Sequence, residues 1–173
     1  MTRWIGPLLL AAIAALAGWY LTLAAMPQFI MGRAWDRLSE QTGVNRMTHT
    51  PLVTAKRQTI VRPSPDLAYS VCAFDLTKGP LKVHAHPVPG HYWSLTVFDN
   101  KTNVAFVESD RDSKGAPVEV VLATAGQTVP ESARRVAMPS EKGVALLRVL
   151  LKDRAEFATV TRYRAQSFCR PFA

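Results

Sequence analysis

Between Trp4 and Met26 the chain runs for 23 residues without a charged side chain, WIGPLLLAAIAALAGWYLTLAAM. At about 1.5 Å per residue, a helix over this run covers roughly 34 Å, enough to cross a hydrocarbon core of about 30 Å. Trp4 near one end and Trp19-Tyr20 toward the other are placed as interfacial anchors. A helix that is apolar on every face is poor core material for a chain of 173 residues, because it has no side to give to water. A cleaved signal sequence is the competing reading, since Thr22-Leu23-Ala24-Ala25 supplies small residues near a cleavage position. The apolar part of a signal peptide runs only about 7–15 residues, so a retained transmembrane anchor over residues 1–27 is the expectation.

The flanks disagree about orientation. Arg3 precedes the segment and Arg33, Arg37 and Arg46 follow it, so a count of Lys and Arg alone leaves the C-terminal part in the cytoplasm. A short head, one apolar segment and a long following domain is instead the layout of an uncleaved signal anchor. That layout predicts a single-pass protein of the inner (cytoplasmic) membrane with its C-terminal domain in the periplasm.

Residues 28–43 read as an amphipathic juxtamembrane helix. In QFIMGRAWDRLSEQ, Phe29, Ile30, Ala34, Trp35 and Leu38 fall near one helical face, and Gly43 supplies the stop. The helix either lies on the bilayer with Arg33 and Arg37 near lipid phosphates or packs on the domain; the sequence leaves both open. Beyond it, β-type runs at 58–62, 67–75, 80–86, 91–98, 102–108, 117–123, 134–138 and 143–151 alternate with turn chemistry such as Pro63-Ser64-Pro65-Asp66, Lys78-Gly79-Pro80 and Pro87-Val88-Pro89-Gly90. Eight strands at this spacing predict a mainly β domain over 44–173, an antiparallel β-sandwich or jelly roll. Asp153 to Phe168, free of Gly and Pro, predicts a short C-terminal helix.

The formal charge of +8 raises a nucleic-acid reading, but its distribution argues against one. The doublets Lys56-Arg57 and Arg134-Arg135 lack flanking aromatics or a nucleic-acid motif, and suit a solvated face or anionic lipid instead. No Walker loop, dinucleotide fingerprint, Cys-x-x-Cys or Gly-x-Ser-x-Gly elbow is present.

Several blocks carry a resemblance. Pro63-Ser64-Pro65-Asp66-Leu67-Ala68-Tyr69-Ser70, Asp75-Leu76 with Gly79-Pro80, Tyr92-Trp93, and Asp99-Asn100-Lys101-Thr102-Asn103 together resemble the domain-of-unknown-function family numbered 1254. Gly143-Val144-Ala145-Leu146-Leu147-Arg148 is similar to its Gly-to-Arg strand. The resemblance implies a β-sandwich and no established reaction. Short members of this kind resemble single-pass envelope proteins of Gram-negative bacteria, often with a small membrane partner from the related family numbered 1214.

Asp66, Tyr69, Asp99, Asn103 and Arg148 are the ligand-binding candidates; no residue is assigned a catalytic role. Arg148 sits in a run apolar on both faces, so its strand is expected to be central and buried, and Asp66, Asp75 or Asp99 is expected to pair with it. The structural reading is an Arg–Asp clamp, the functional one a ligand-binding arginine. Asp66 with Tyr69 and Ser70 lacks a base for serine chemistry, and Asp66 after Pro65 reads as a turn cap. His84 and His86 share one strand face, and the turn at 87–90 is placed to bring His91 across from them. Three imidazoles would suit a metal ion, but no Glu follows at the short spacing of cupin-type sites, and a solvent-facing hairpin end is the plainer reading. No other cofactor is implied. Cys72 lies within a strand and Cys169 near the terminus. In an oxidising compartment a disulfide between them would pin the terminal segment to the sheet; otherwise they are two unrelated thiols.

Three functions fit: an envelope module that binds a partner protein or an anionic ligand; an enzyme using the His84/His86/His91 cluster or the Asp66/Asp99/Arg148 group; or a lipid-handling protein with an apolar cavity between its sheets.

Overall fold

The computed structural model describes residues 2–54 and 63–172; the strand expected at 58–62 and the Lys56-Arg57 doublet lie outside the described residues. A 3-10 turn at Thr2–Trp4 leads into one long helix, α1 (Ile5–Thr42), followed by strands β1 (Thr48–His49), β2 (Leu67–Asp75), β3 (Leu81–Ala85), β4 (Trp93–Phe98), β5 (Val104–Ser109), β6 (Val118–Ala123), β7 (Arg135–Ala137) and β8 (Lys142–Leu150). A short 3-10 turn then leads into α2 (Phe157–Arg164) and β9 (Phe168–Pro171). Two sheets stack as a sandwich, one ordered β1-β2-β8-β4-β5 and the other β7-β6-β3-β9. The β-sandwich expected from the turn spacing is what the chain forms, with one parallel pair, β6 and β7.

Alternation places one face of each strand in the core. Cys72 and Phe74 of β2, Leu81 and Val83 of β3, Trp93, Leu95 and Val97 of β4, and Ala145, Leu147 and Val149 of β8 are all buried between the sheets. Among the described residues these side chains fill the space between the sheets, where the lipid-handling expectation placed its cavity. The central strand is β8, as expected, with β2 and β4 on either side. Gly143 sits where it crosses Phe74: a Cβ at this position would overlap the Phe98 carbonyl oxygen and lie 2.5 Å from Phe74 Cζ.

Three elements differ from expectation. The anchor and the juxtamembrane segment are one helix that continues through Pro27. Proline there removes one backbone donor, so the Leu23 carbonyl loses its partner within the helix. Of the two placements left open, the last turns take the one packed on the domain, and the docking stripe is Met31, Trp35 and Leu38 against Val71, Val144, Phe98 and Leu146. Phe29 and Ile30, expected on that face, are exposed. Trp35 Nε1 donates to the Phe74 carbonyl (3.0 Å), and after Gly43 ends the helix, Asn45 exchanges side-chain bonds with the backbone of Asp75 at 2.8 Å in both directions. Finally, the C-terminal helix stops at Arg164, and 168–171 form an edge strand on β3 with Cys169 opposite Val83.

Cys72 and Cys169 are joined across the sandwich, Cα atoms 6.4 Å apart and 97 residues apart in sequence. They tie the central region of one sheet to the edge strand of the other.

Replacing Gly143 with Ala should destabilise the domain by about 1–3 kcal/mol, the usual cost of forcing a methyl into a packed interior, read as a lowered unfolding midpoint in detergent. Cys169→Ser should lose up to about 4–5 kcal/mol by the chain-entropy estimate and raise amide exchange in β9 first. Unchanged exchange in 168–171 would mean that strand pairing alone holds the terminus.

Candidate functional site

The face of the five-stranded sheet that points away from the core is only partly covered. Helix α1 lies over Val71 and Val144. Beyond it, the register aligns Ser109, Ser94, Arg148 and Tyr69 in one polar row across β5, β4, β8 and β2. Val107 (59% exposed) and Leu150 (41% exposed) flank this row, with Tyr92 nearby and also exposed.

Arg148 is the centre of this face. Its Nη2 donates to Thr96 Oγ1 at 3.3 Å. Its Nε and Ser94 Oγ are both out of solvent with no hydrogen-bond partner. Among the described residues no carboxylate lies within 4 Å of the guanidinium, so the expected Arg148–Asp clamp does not form.

The reason is position along the strands. Asp99 follows the far end of β4, five residues from the Ser94 that faces Arg148, or about 16 Å away at 3.3 Å per residue. There Asp99 Oδ1 accepts from the backbone of Lys101 (2.7 Å) and Asn103 (2.8 Å), while Oδ2 accepts from Asn103 Nδ2 (2.8 Å). Burial works against this carboxylate, but these donors outweigh it and hold its pKa below the usual range. Asp99 and Asn103 thus form a closed loop clasp. Asp75, at the same end, accepts from Thr77 and lies 3.9 Å from Lys142 Nζ. Asp66 is exposed in its turn, and its backbone carbonyl accepts from Leu151. Tyr69 is the one candidate beside Arg148, but its hydroxyl accepts from the Ser64 backbone at 2.9 Å. The Asp66/Asp99/Arg148 group proposed for an enzyme is therefore not assembled.

The histidines also separate. His84 and His86 share a face, ring centres 6.2 Å apart, as the strand period requires. His84 stacks on Phe168 at 4.9 Å and lies 3.5 Å from Glu119, and burial holds its pKa below the usual range against the pull of that carboxylate. His91 turns elsewhere: Nδ1 contacts the Pro89 carbonyl (3.0 Å) and Nε2 contacts Glu156 (3.0 Å). With both ring nitrogens engaged it does not complete a trio, and no cluster of three His, Cys, Asp or Glu suited to a metal occurs among the described residues.

Two basic residues have roles that the sequence reading missed. Arg164, 1% exposed, donates to the carbonyls of Thr50 (2.6 Å) and Tyr69 and to Thr161 Oγ1, and its guanidinium lies over the Phe157 ring. Burial lowers its pKa to about 10, so it remains a cation at neutral pH. The signal was available: Phe157, Val160 and Arg164 follow a 3-4 helical spacing that puts all three on one stripe. Arg134 is exposed, in keeping with the solvated face expected of it, and it also pairs with Glu108 at 2.5 Å.

The family model described as "Protein of unknown function (DUF1254)" matches residues 44–171, most of the chain. No curated protein matches significantly. The fold is similar to that of a Vibrio parahaemolyticus protein, with a TM-score of 0.62 and 17% identity over 86% of this chain and 37% of that one. It is also similar to an uncharacterised protein of Burkholderia cenocepacia, with a TM-score of 0.50 and 15% identity over 84% of this chain and 40% of the other. This chain thus spans well under half of either relative, and at such identities the likeness concerns the fold. By the extent of the family match, the chain belongs to the DUF1254 family of proteins of unknown function.

Proposed function

We propose that the protein is a membrane-anchored envelope module whose outer β-face, centred on Arg148, docks a partner protein that presents a carboxylate. The observation that carries this reading is the arginine itself. It lies among exposed apolar side chains with no carboxylate within ion-pair distance among the described residues, and its Nε lacks a partner out of solvent. An unpaired donor of this kind costs stability in isolation and contributes when an acceptor closes over it. A protein surface suits the site better than a small anion because Val107, Tyr92 and Leu150 spread the contact over a flat face.

The tether is α1, whose first part is apolar, exposed and long enough to span a bilayer. The Cys72–Cys169 bond supports the periplasmic side of an inner membrane, where disulfides persist. The solved relatives are longer polypeptides, so this sandwich has precedent beside further protein. We take the occupant to be a small membrane protein of the related family 1214, as the sequence resemblance implies.

A photo-crosslinker placed at Val107 or Leu150 in the native membrane should trap one protein, whereas one at Glu119 on the opposite sheet should not. Arg148→Glu should weaken the contact by about 2–5 kcal/mol, and an Asp or Glu to Arg change in the partner should restore it. Capture indifferent to residue 148 would overturn the assignment.

A further inference from the structure

A second feature lies at the other end of the same sheet, where α1 meets the turns after β4 and before β8. A cleft of about 370 Å³ opens there between the helix and the sandwich, a volume typical of small-ligand sites. Gln28 and Asp36 line it from the helix, Asn100, Glu141 and Lys142 from the turns, and Trp35 contributes an aromatic wall. The Lys142 ammonium lies 4.3 Å from the Trp35 ring centre and 3.9 Å from Asp75. Asp36 and Glu141 are exposed and form no ion pair among the described residues. At Gly32 the helix wall is open, with nothing within 4 Å of where a Cβ would stand.

Height decides what reaches this cleft. Gln28 is the second residue beyond the apolar run Trp4–Met26 and lies five residues before Arg33, the first charge after that run, so with α1 across a bilayer the cleft opens at headgroup level. Its chemistry is zwitterionic. One ammonium with two side-chain amides suits a phosphate, and two carboxylates beside them suit a second ammonium while disfavouring a headgroup that carries only negative charge. We propose that this cleft binds the phosphoethanolamine headgroup of a membrane lipid, with the phosphate at Lys142 and the amine at Asp36 and Glu141. This inference rests on the membrane-spanning reading of α1 but not on the partner-docking face.

The test is lipid retention by the full chain. Protein reconstituted with equal phosphatidylethanolamine, phosphatidylcholine and phosphatidylglycerol, then moved to mild detergent, is read by native mass spectrometry. Phosphatidylethanolamine should be retained about tenfold over the other two, the ratio expected for one charge-assisted contact. Lys142→Gln should abolish that preference, and so should Gly32→Leu, which fills the cleft from an open position; an unchanged unfolding midpoint would show that the domain is intact. Equal retention of all three lipids, or a preference that survives both variants, would overturn the proposal. Binding of soluble phosphoethanolamine with no lipid retained would overturn the lipid as its source. Failure to insert into vesicles would remove the membrane span and this cleft together, whereas insertion without preference would remove the cleft alone.

Discussion

Strand β8 has to be covered on both faces, and the rest of the architecture follows from how that is done. Ala145, Leu147 and Val149 point into the sandwich, where the second sheet covers them. Val144, Leu146, Arg148 and Leu150 point the other way, where no second sheet exists. The end turns of α1 cover the first part of that face through Met31, Trp35 and Leu38. Among the described residues the coverage stops before Arg148. An element that would otherwise be only an anchor thus becomes part of the domain's packing, and the uncovered remainder becomes the candidate interaction face.

Arg164 and Arg148 show how differently a cation is accommodated in so small a fold. Arg164 is enclosed completely, yet carbonyl oxygens of Thr50 and Tyr69, the Thr161 hydroxyl and the Phe157 ring surround it. These dipoles replace water without a counter-charge, and they fasten α2 to the start of β2 and the strand beside it. Such a site is structural because it is satisfied. Arg148 has one long bond to Thr96 and donors left over. It lies on a face open to solvent at its margins, where an incoming group can reach it.

What was legible in the sequence was whatever depends on neighbours along the chain. Alternation and turn residues located β2 to its end residues, and the long uncharged run located the helix. Apolar residues on both faces marked β8 as central. What was not legible depends on partners far away in sequence. Strand β9 is defined by pairing with β3 and has no periodic signal in four residues. His91 is turned away from His84 by Glu156, 65 residues further on. The Arg148–Asp expectation went wrong because burial says that a charge needs a partner without saying which end of a strand the partner occupies. Of the helical face expected, Trp35 and Leu38 do dock, while Phe29 and Ile30 do not: the 31, 35, 38 spacing fits one face equally well, and only contact with Val71 and Val144 decides between the stripes.

Continuity of α1 through Pro27 has a geometric consequence. From Met26 to Thr42 the helix runs about 24 Å beyond its apolar run, docked along much of that length, so the sandwich is not hung from a flexible tether. The turns at 99–103 and 139–142 lie beside helix residues 28–36, and the turns at 64–66 and 109–115 lie at the opposite end of the sheet. The first set is thus the end of the sandwich nearest the apolar run of the helix. The polar row of Arg148 lies toward the other end of the sheet, on the face that α1 covers in part. A protein docked there stands beside α1. It meets that face most readily if it too is held at the membrane, because tethering two partners to one surface raises their effective concentration without any added contact. Under the proposed docking, a modest interface around Arg148 would then be enough.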